Sequence, residues 1–206
     1  MKNPTLLKEM LHYRGRDEMP DDFDTFWNKQ VAEVEVPQDY QLLEKDFRIA
    51  YAACYELTFK TGNGGLIYAK LVVPKLSEKV PVLFHFHGYM GQGWDWADML
   101  AYTAAGWGVV SMDVRGQSGY SLDGNREVRG NTVKGHIIRG ALDGPDQLFF
   151  KDVYLDVYTL VELVAGLDFV DENRLSSFGG SQGGALALVA AALNSRIKQT
   201  VAIYPF

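Results

Sequence analysis

The 206 residues are 47% apolar, 13% aromatic and 22% charged, which excludes disorder, collagen and coiled coil. Twenty Lys and Arg against 26 Asp and Glu leave a net charge of −6, so no long-range field draws the chain to nucleic-acid phosphates or anionic lipid. The longest apolar run without a glycine is residues 185–193, far short of the roughly 20 residues of a membrane span. Neither nucleic acid nor membrane is expected as a partner. The first twenty residues carry charges throughout and lack the apolar h-region of a secretory signal. A single cysteine, Cys54, has no internal disulfide partner, and the two features together point to a reducing, cytoplasmic setting.

In chain order, Asp21 and Asp22 stand as caps before Phe23, Phe26, Trp27 and Val31 at helical spacing, which predicts an amphipathic helix braced on something larger. From Ala53 the period changes to two, with Ala53, Tyr55, Leu57 and Phe59 on one face, then TGNGG, then LIYAKLVVP. This predicts an antiparallel hairpin at a sheet edge, with positive φ supplied within residues 63–65. Residues 80–86 and 108–112 are short continuous apolar runs, as strands buried on both faces require, and a helix is predicted between them at 98–105. A helix over 152–164, a strand over 174–178, a helix over 182–193 and a strand over 200–204 follow. That alternation predicts one α/β domain over residues 1–206 with a mostly parallel sheet covered on both faces. It divides into an N-terminal helical extension (1–45), an antiparallel edge hairpin (46–79) and core βαβ units (80–206). The Gly-rich, charged stretch at 117–150 lacks periodicity, and a connection that long is usually functional or an interface element.

Gly179-Gly180-Ser181-Gln182-Gly183 fits G-x-S-x-G. Chance alone gives about 0.08 such matches in a chain of this composition, so context decides. The match lies where the predicted strand at 174–178 runs into the predicted helix at 182–193, the placement of a nucleophile elbow. So tight a turn needs small neighbours at Gly179 and Gly183, with Gly184 letting the helix approach the strand. Ser181 Oγ then stands at a helix N-terminus, where developing negative charge is favoured. A glycine-rich packing turn or a phosphate cradle is the other reading of these letters. An acyl-transfer site also needs two backbone donors: the N–H of Gln182, and one from the loop after an earlier core strand. His85-Phe86-His87-Gly88-Tyr89 follows that strand, with Gly88 placed to turn the Tyr89 N–H inward. His85 and His87, at i and i+2, could alternatively share a metal; with no third ligand at suitable spacing, hydrogen bonds bracing the loop are expected and no metal or cofactor is.

These residues resemble the acetyl xylan esterase and cephalosporin-C deacetylase group of α/β-hydrolases, a carbohydrate esterase family. The resemblance rests on DDFDTFW near the start, HFHGYMG after the first core strand, MDVRGQSGYS after the second, and FGGSQGGALAL at the elbow. It implies an α/β-hydrolase fold with Ser181 as nucleophile, the Tyr89 and Gln182 backbone N–H groups as oxyanion hole, and Arg115 and Gln117 as a bracing pair near the elbow. It also implies a small acetylated substrate, an ester of a sugar or related alcohol, and a homo-oligomer, a hexamer in the family. Other roles remain open for the supporting residues. Asp113, Arg115 and Gln117 also read as a solvated turn after a strand; Trp94, Trp96 and Trp107 read as packing or as a pocket lining; Cys54 reads as filler.

In the α/β-hydrolase order an acid and then a His follow the serine. Residues 182–206 hold no Asp, Glu or His, and the four histidines, His12, His85, His87 and His136, all precede Ser181. The expectation is a C-terminally truncated member, incomplete at that end of the sheet and nearly inactive alone. Without a base, an oxyanion hole sustains only roughly 10³ to 10⁴ over water. Two other readings stand beside the esterase: a non-catalytic remnant or assembly module, and a hydrolase of another acyl substrate.

Overall fold

The computed structural model describes residues 4–124 and 136–206. Two helices, α1 (Pro4–His12) and α2 (Phe23–Ala32), precede a seven-stranded sheet: β1 (Gln41–Glu44), β2 (Ala52–Lys60), β3 (Leu66–Pro74), β4 (Val80–Phe86), β5 (Gly108–Met112), β6 (Val170–Gly180) and β7 (Ile197–Ile203). Three helices connect the later strands: α3 (Trp96–Ala104), α4 (Phe149–Ala165) and α5 (Gln182–Leu193). The order across the sheet is β1-β2-β3-β5-β4-β6-β7. The pairs from β1 to β5 are antiparallel and those among β5, β4, β6 and β7 are parallel.

The alternation of β2, β3 and β4 sends one set of side chains to each face. Leu57, Leu71, Val82, Phe84 and Phe86 join Val157, Leu160 and Leu186 of α4 and α5 in the larger core, while Cys54, Val72 and Val109 pack with Met99 of α3 in the smaller. Cys54 is therefore filler, buried in apolar surroundings that raise its thiol pKa. β5 is buried at all five positions, as its unbroken apolar run requires.

Three local features differ from expectation. The hairpin of β2 and β3 is not at the edge, because β1 pairs outside it from Gln41↔Thr58 to Glu44↔Tyr55. β1 lies inside the segment expected to be helical; QLLE is too short and too exposed to show an alternation. In the hairpin turn only Gly64 has positive φ, at 86°. Gly65 serves space instead, since a Cβ there would run into the guanidinium of Arg115. Asp22 does stand at the N-cap of α2, but its side chain makes no capping bond. α2 is held by packing, with Trp27 against Tyr154 at 5.7 Å and Gln30 donating to Asp146 at 3.2 Å.

Within the 117–150 stretch the chain makes two 3₁₀ turns, His136–Ile138 and Pro145–Gln147; residues 125–135 lie outside the described residues.

Candidate functional site

From β4 the chain leaves through α3 to β5 on one side, and from β5 through α4 to β6 on the other, so the carboxyl ends of β4 and β6 flank a point where the winding reverses. In open α/β sheets such a crevice is where ligands bind. Phe86 at the end of β4 is level with Gly179 of β6, which brings the 87–93 loop beside the turn that holds Ser181.

Ser181 has φ 56° and ψ −122°, a conformation that L side chains rarely adopt. It is over-determined by its surroundings: the Ser181 N–H donates to Ile203 O at 3.0 Å, and the Ser181 carbonyl accepts from the Ala185 N–H at 3.1 Å. The flanking glycines are required by close approach. A Cβ on Gly179 would strike the Gly183 carbonyl, one on Gly183 would strike the Phe86 carbonyl, and one on Gly184 would come within 3.0 Å of Ile203 O. Ser181 is partly exposed and its Oγ has no hydrogen-bond partner among the described residues. Gln182 opens α5, so its N–H is among the helix amides without an intrahelical acceptor.

Opposite stands the turn at residues 88–91, closed by the Gly91 N–H donating to Gly88 O at 3.0 Å. Its strained residue is Met90, with φ 62°; Gly88 does not have positive φ, so the twist expected of Gly88 is carried two residues later. Gly88 contributes room instead: a Cβ there would lie 3.8 Å from Gly180 O and 4.0 Å from Ser181 Cβ, directly over the serine. Tyr89 is the second residue of this turn.

Three fastenings hold the turn. His87 accepts the Val114 N–H on Nε2 at 2.9 Å, which leaves Nδ1 as the protonated nitrogen donating to Gly88 O at 2.7 Å. Burial pushes its pKa down, and with both ring nitrogens engaged it is a loop brace. Gln117 Oε1 accepts the Met90 N–H at 3.0 Å, and Ser118 Oγ donates to Met90 O at 2.8 Å. Gln117 and Gln182 also form a reciprocal amide pair, 2.6 Å in one direction and 3.1 Å in the other, and both are fully buried. Gln117 thus ties the loop after β4 to the residue following Ser181.

Arg115 points elsewhere. Its guanidinium donates to Asp156 of α4 at 2.5 and 2.7 Å, and to Asn63 and Thr61 of the hairpin turn at 2.6 and 3.1 Å. It is 1% exposed. Arg115 clamps α4 to the hairpin and is not a partner of Gln117 at the elbow, because its side chain leaves β5 toward the face that α4 covers. Burial, followed by repulsion from Asp152 and Asp123, outweighs Arg115 and raises Asp156 to about 6. The solvated-turn reading of Asp113, Arg115 and Gln117 fails, since all three are buried.

Asp113 is a residue that sequence reasoning left without a role. Its carboxylate accepts the Gly93 N–H at 2.6 Å and the Tyr120 N–H at 2.8 Å, joining the loops after β4 and β5. His85 faces α3, bonded to Ser111 Oγ at 2.8 Å and stacked on Trp94 at 3.7 Å, and burial lowers its pKa to about 3. His85 and His87 diverge because the strand ends between them. Trp94 packs, Trp96 tilts against Phe47 at 5.3 Å, and Trp107 lines a groove at the opposite, amino end of the parallel strands. Among the described residues no group of acids, histidines or cysteines is placed to hold a metal, and no helix is long and apolar enough to cross a membrane.

A model of the acetyl xylan esterase family matches residues 1–206. The acetyl esterase Axe7A of Xylanibacter ruminicola is 30% identical over 194 residues, which are 90% of this chain and 44% of that protein. Acetyl xylan esterase 1 from Thermoanaerobacterium sp. JW/SL YS485 superposes with a TM-score of 0.89 at 43% identity, covering 97% of this chain and 63% of that one. Acetyl xylan esterase from Paenibacillus sp. R4 gives 0.85 at 30% identity, covering 97% and 64%. The chain therefore spans under half the length of the curated relative and under two thirds of the solved ones, and it shares their α/β-hydrolase fold.

Proposed function

Because the chain belongs to the acetyl xylan esterase family, we propose that Ser181 is the nucleophile of a carboxylic ester hydrolase that removes acetyl groups from acetylated sugars or related alcohols. The observation that carries this reading is the strained Ser181 between β6 and α5, facing the braced turn at residues 88–91. Ser181 Oγ attacks the acetyl carbonyl carbon, and its proton passes to a base and on to the departing alkoxide. The C–O bond to the alcohol breaks, leaving acetyl on Ser181, and water then releases acetate by the reverse proton path. The N–H groups of Gln182 and Tyr89 hold the tetrahedral oxyanion, and the dipole of α5 adds to them. Gly88 leaves room for the acyl group beside Ser181. Gln117 sets the spacing of the two donors, because it binds the Met90 N–H on one side and the Gln182 amide on the other. The base and its orienting acid are supplied by sequence following Phe206 or by another chain. A homo-oligomer, a hexamer as in the family, and a cytoplasmic location complete the proposal.

The test is hydrolysis of p-nitrophenyl acetate by the 206-residue chain and by a form extended through its downstream coding sequence, each with Ser181→Ala as control. Activity in the extended form that depends on Ser181 supports the proposal. An inactive extended form, or one active without Ser181, refutes it. Efficient turnover by the 206 residues alone overturns the assignment of the base to an outside segment, and a panel of acetyl, longer acyl and lactone substrates separates deacetylation from other acyl chemistry.

A further inference from the structure

The loop after β4 is an arch whose two feet are held by adjacent residues. Its first foot, His87, accepts the Val114 N–H on Nε2 at 2.9 Å, and its second, Gly93, donates its N–H to Asp113 Oδ1 at 2.6 Å. Between the feet stands the turn at residues 88–91, fastened by Gln117 and Ser118. The other oxygen of the same carboxylate, Oδ2, accepts the Tyr120 N–H at 2.8 Å and so closes the 113–120 segment that carries Gln117 and Ser118. One group therefore sets both the span of the arch and the place of its central fastening. Asp113 is 4% exposed, and each of its oxygens takes a backbone amide in a charge-assisted bond. Small residues make room for it: a Cβ on Gly119, at φ 134°, would run into the carboxylate, and one on Gly93 would lie 3.1 Å from Oδ1 and 2.9 Å from Ser111 Oγ.

We propose that Asp113 is a positioning residue of the esterase: through Gly93 and Tyr120 it fixes the turn that carries the Tyr89 N–H, and so sets that donor against the oxyanion formed when Ser181 attacks. This rests on the roles given to Ser181, Tyr89 and Gln182 under Proposed function. Asp113 acts through the loop and not on the substrate. A donor already held in place when charge develops stabilises the transition state without having to be ordered during the reaction. An interaction made only in the transition state shows in kcat and leaves KM alone.

Two measurements on Asp113→Asn test it, since the amide keeps one acceptor and turns its NH₂ on the other N–H. In the 206-residue chain, hydrogen exchange read residue by residue is expected to quicken about tenfold at Gly93 and Tyr120, and to quicken also at Met90 and Gly91, whose N–H groups Asp113 does not touch. Faster exchange confined to Gly93 and Tyr120, or no change at any of the four, overturns the proposal independently of Ser181. In the form extended through the downstream coding sequence, hydrolysis of p-nitrophenyl acetate is expected to lose about 10–100-fold in kcat, short of the roughly 10²–10³ that deleting an oxyanion donor costs, with KM within about twofold. A parental kcat, or a loss carried by KM, overturns the proposal and leaves the nucleophile standing; hydrolysis that survives Ser181→Ala overturns both. Thr103→Ala, which deletes the buried bond to Met99 O in α3, is expected to lower the unfolding midpoint with kcat unchanged; an equal loss of kcat there assigns the effect to stability and overturns the positioning role. If Asp113→Asn does not fold, Gly119→Ala, which pushes the carboxylate off its two amides while keeping its charge, is held to the same outcomes.

Discussion

Replacing Ser181 by Gly and by Ala measures what the elbow costs the fold. The pair φ 56°, ψ −122° is the mirror image of a conformation that L residues favour, so glycine occupies it without strain while any side chain resists it. Ser181→Ala keeps the strain and removes a hydroxyl that makes neither a capping bond nor any other hydrogen bond among the described residues. It is expected to match the parent in stability. Ser181→Gly releases about 1–3 kcal/mol of backbone strain. Against that stands about 0.5–1 kcal/mol for the freer unfolded chain. The net is about 1 kcal/mol in favour of Gly, or about 2–4 °C in Tm for a chain of this size. Thermal unfolding followed by near-ultraviolet circular dichroism measures it. A Gly variant that melts at or below the Ala variant refutes the reasoning, because the elbow would then store no strain.

The buried cluster around Asp156 predicts a pH dependence. Its carboxyl rises from 3.8 to about 6 on folding, so the folded state holds this proton more tightly. The associated stability is complete below about pH 4 and is lost as pH rises through about 6. At about 1.4 kcal/mol per pH unit it amounts to about 3 kcal/mol. Urea unfolding between pH 4 and 7 is expected to show this fall in the parent and to lose it in Asp156→Asn; equal slopes refute the assignment. At the elbow, Gly183→Ala forces a methyl into the Phe86 carbonyl, whereas Gly180→Ala meets Tyr204 no closer than 3.5 Å. The first is expected to lose more than about 3 kcal/mol, or to fail to fold, and the second to stay within about 1 kcal/mol. Comparable urea midpoints for the two contradict the packing described here.

What could be read from the letters was what local physics decides. Residues 80–86 and 108–112 are strands because an unbroken apolar run between turns must be buried on both faces, and the structure gives β4 and β5 those bounds. α5 begins at Gln182 and ends at Leu193, as its flanking residues indicate. The glycines around Ser181 were legible for the same reason, since only residues without a Cβ let the β6–α5 turn approach the end of β4. β1 was not legible, because four mostly exposed residues carry no period of their own and become a strand only when β2 offers its edge.

Partnerships across the chain were decided by tertiary structure alone. Arg115 and Gln117 stand two residues apart, yet one turns to Asp156, 41 positions on, and the other to Gln182, 65 positions on. Gly65 is small for the sake of Arg115, and the strain in the turn after β4 falls on Met90 where glycine was expected to carry it. The four motifs by themselves carried the resemblance to the family, while burial, period and turn sterics within a few residues determined the strands at 80–86 and 108–112 and the glycines around Ser181. The amide pair, the carboxylate of Asp113 and the direction of Arg115 came only with the fold. A buried polar group must take whichever partner the packed chain brings within hydrogen-bond reach, and sequence distance says nothing of that.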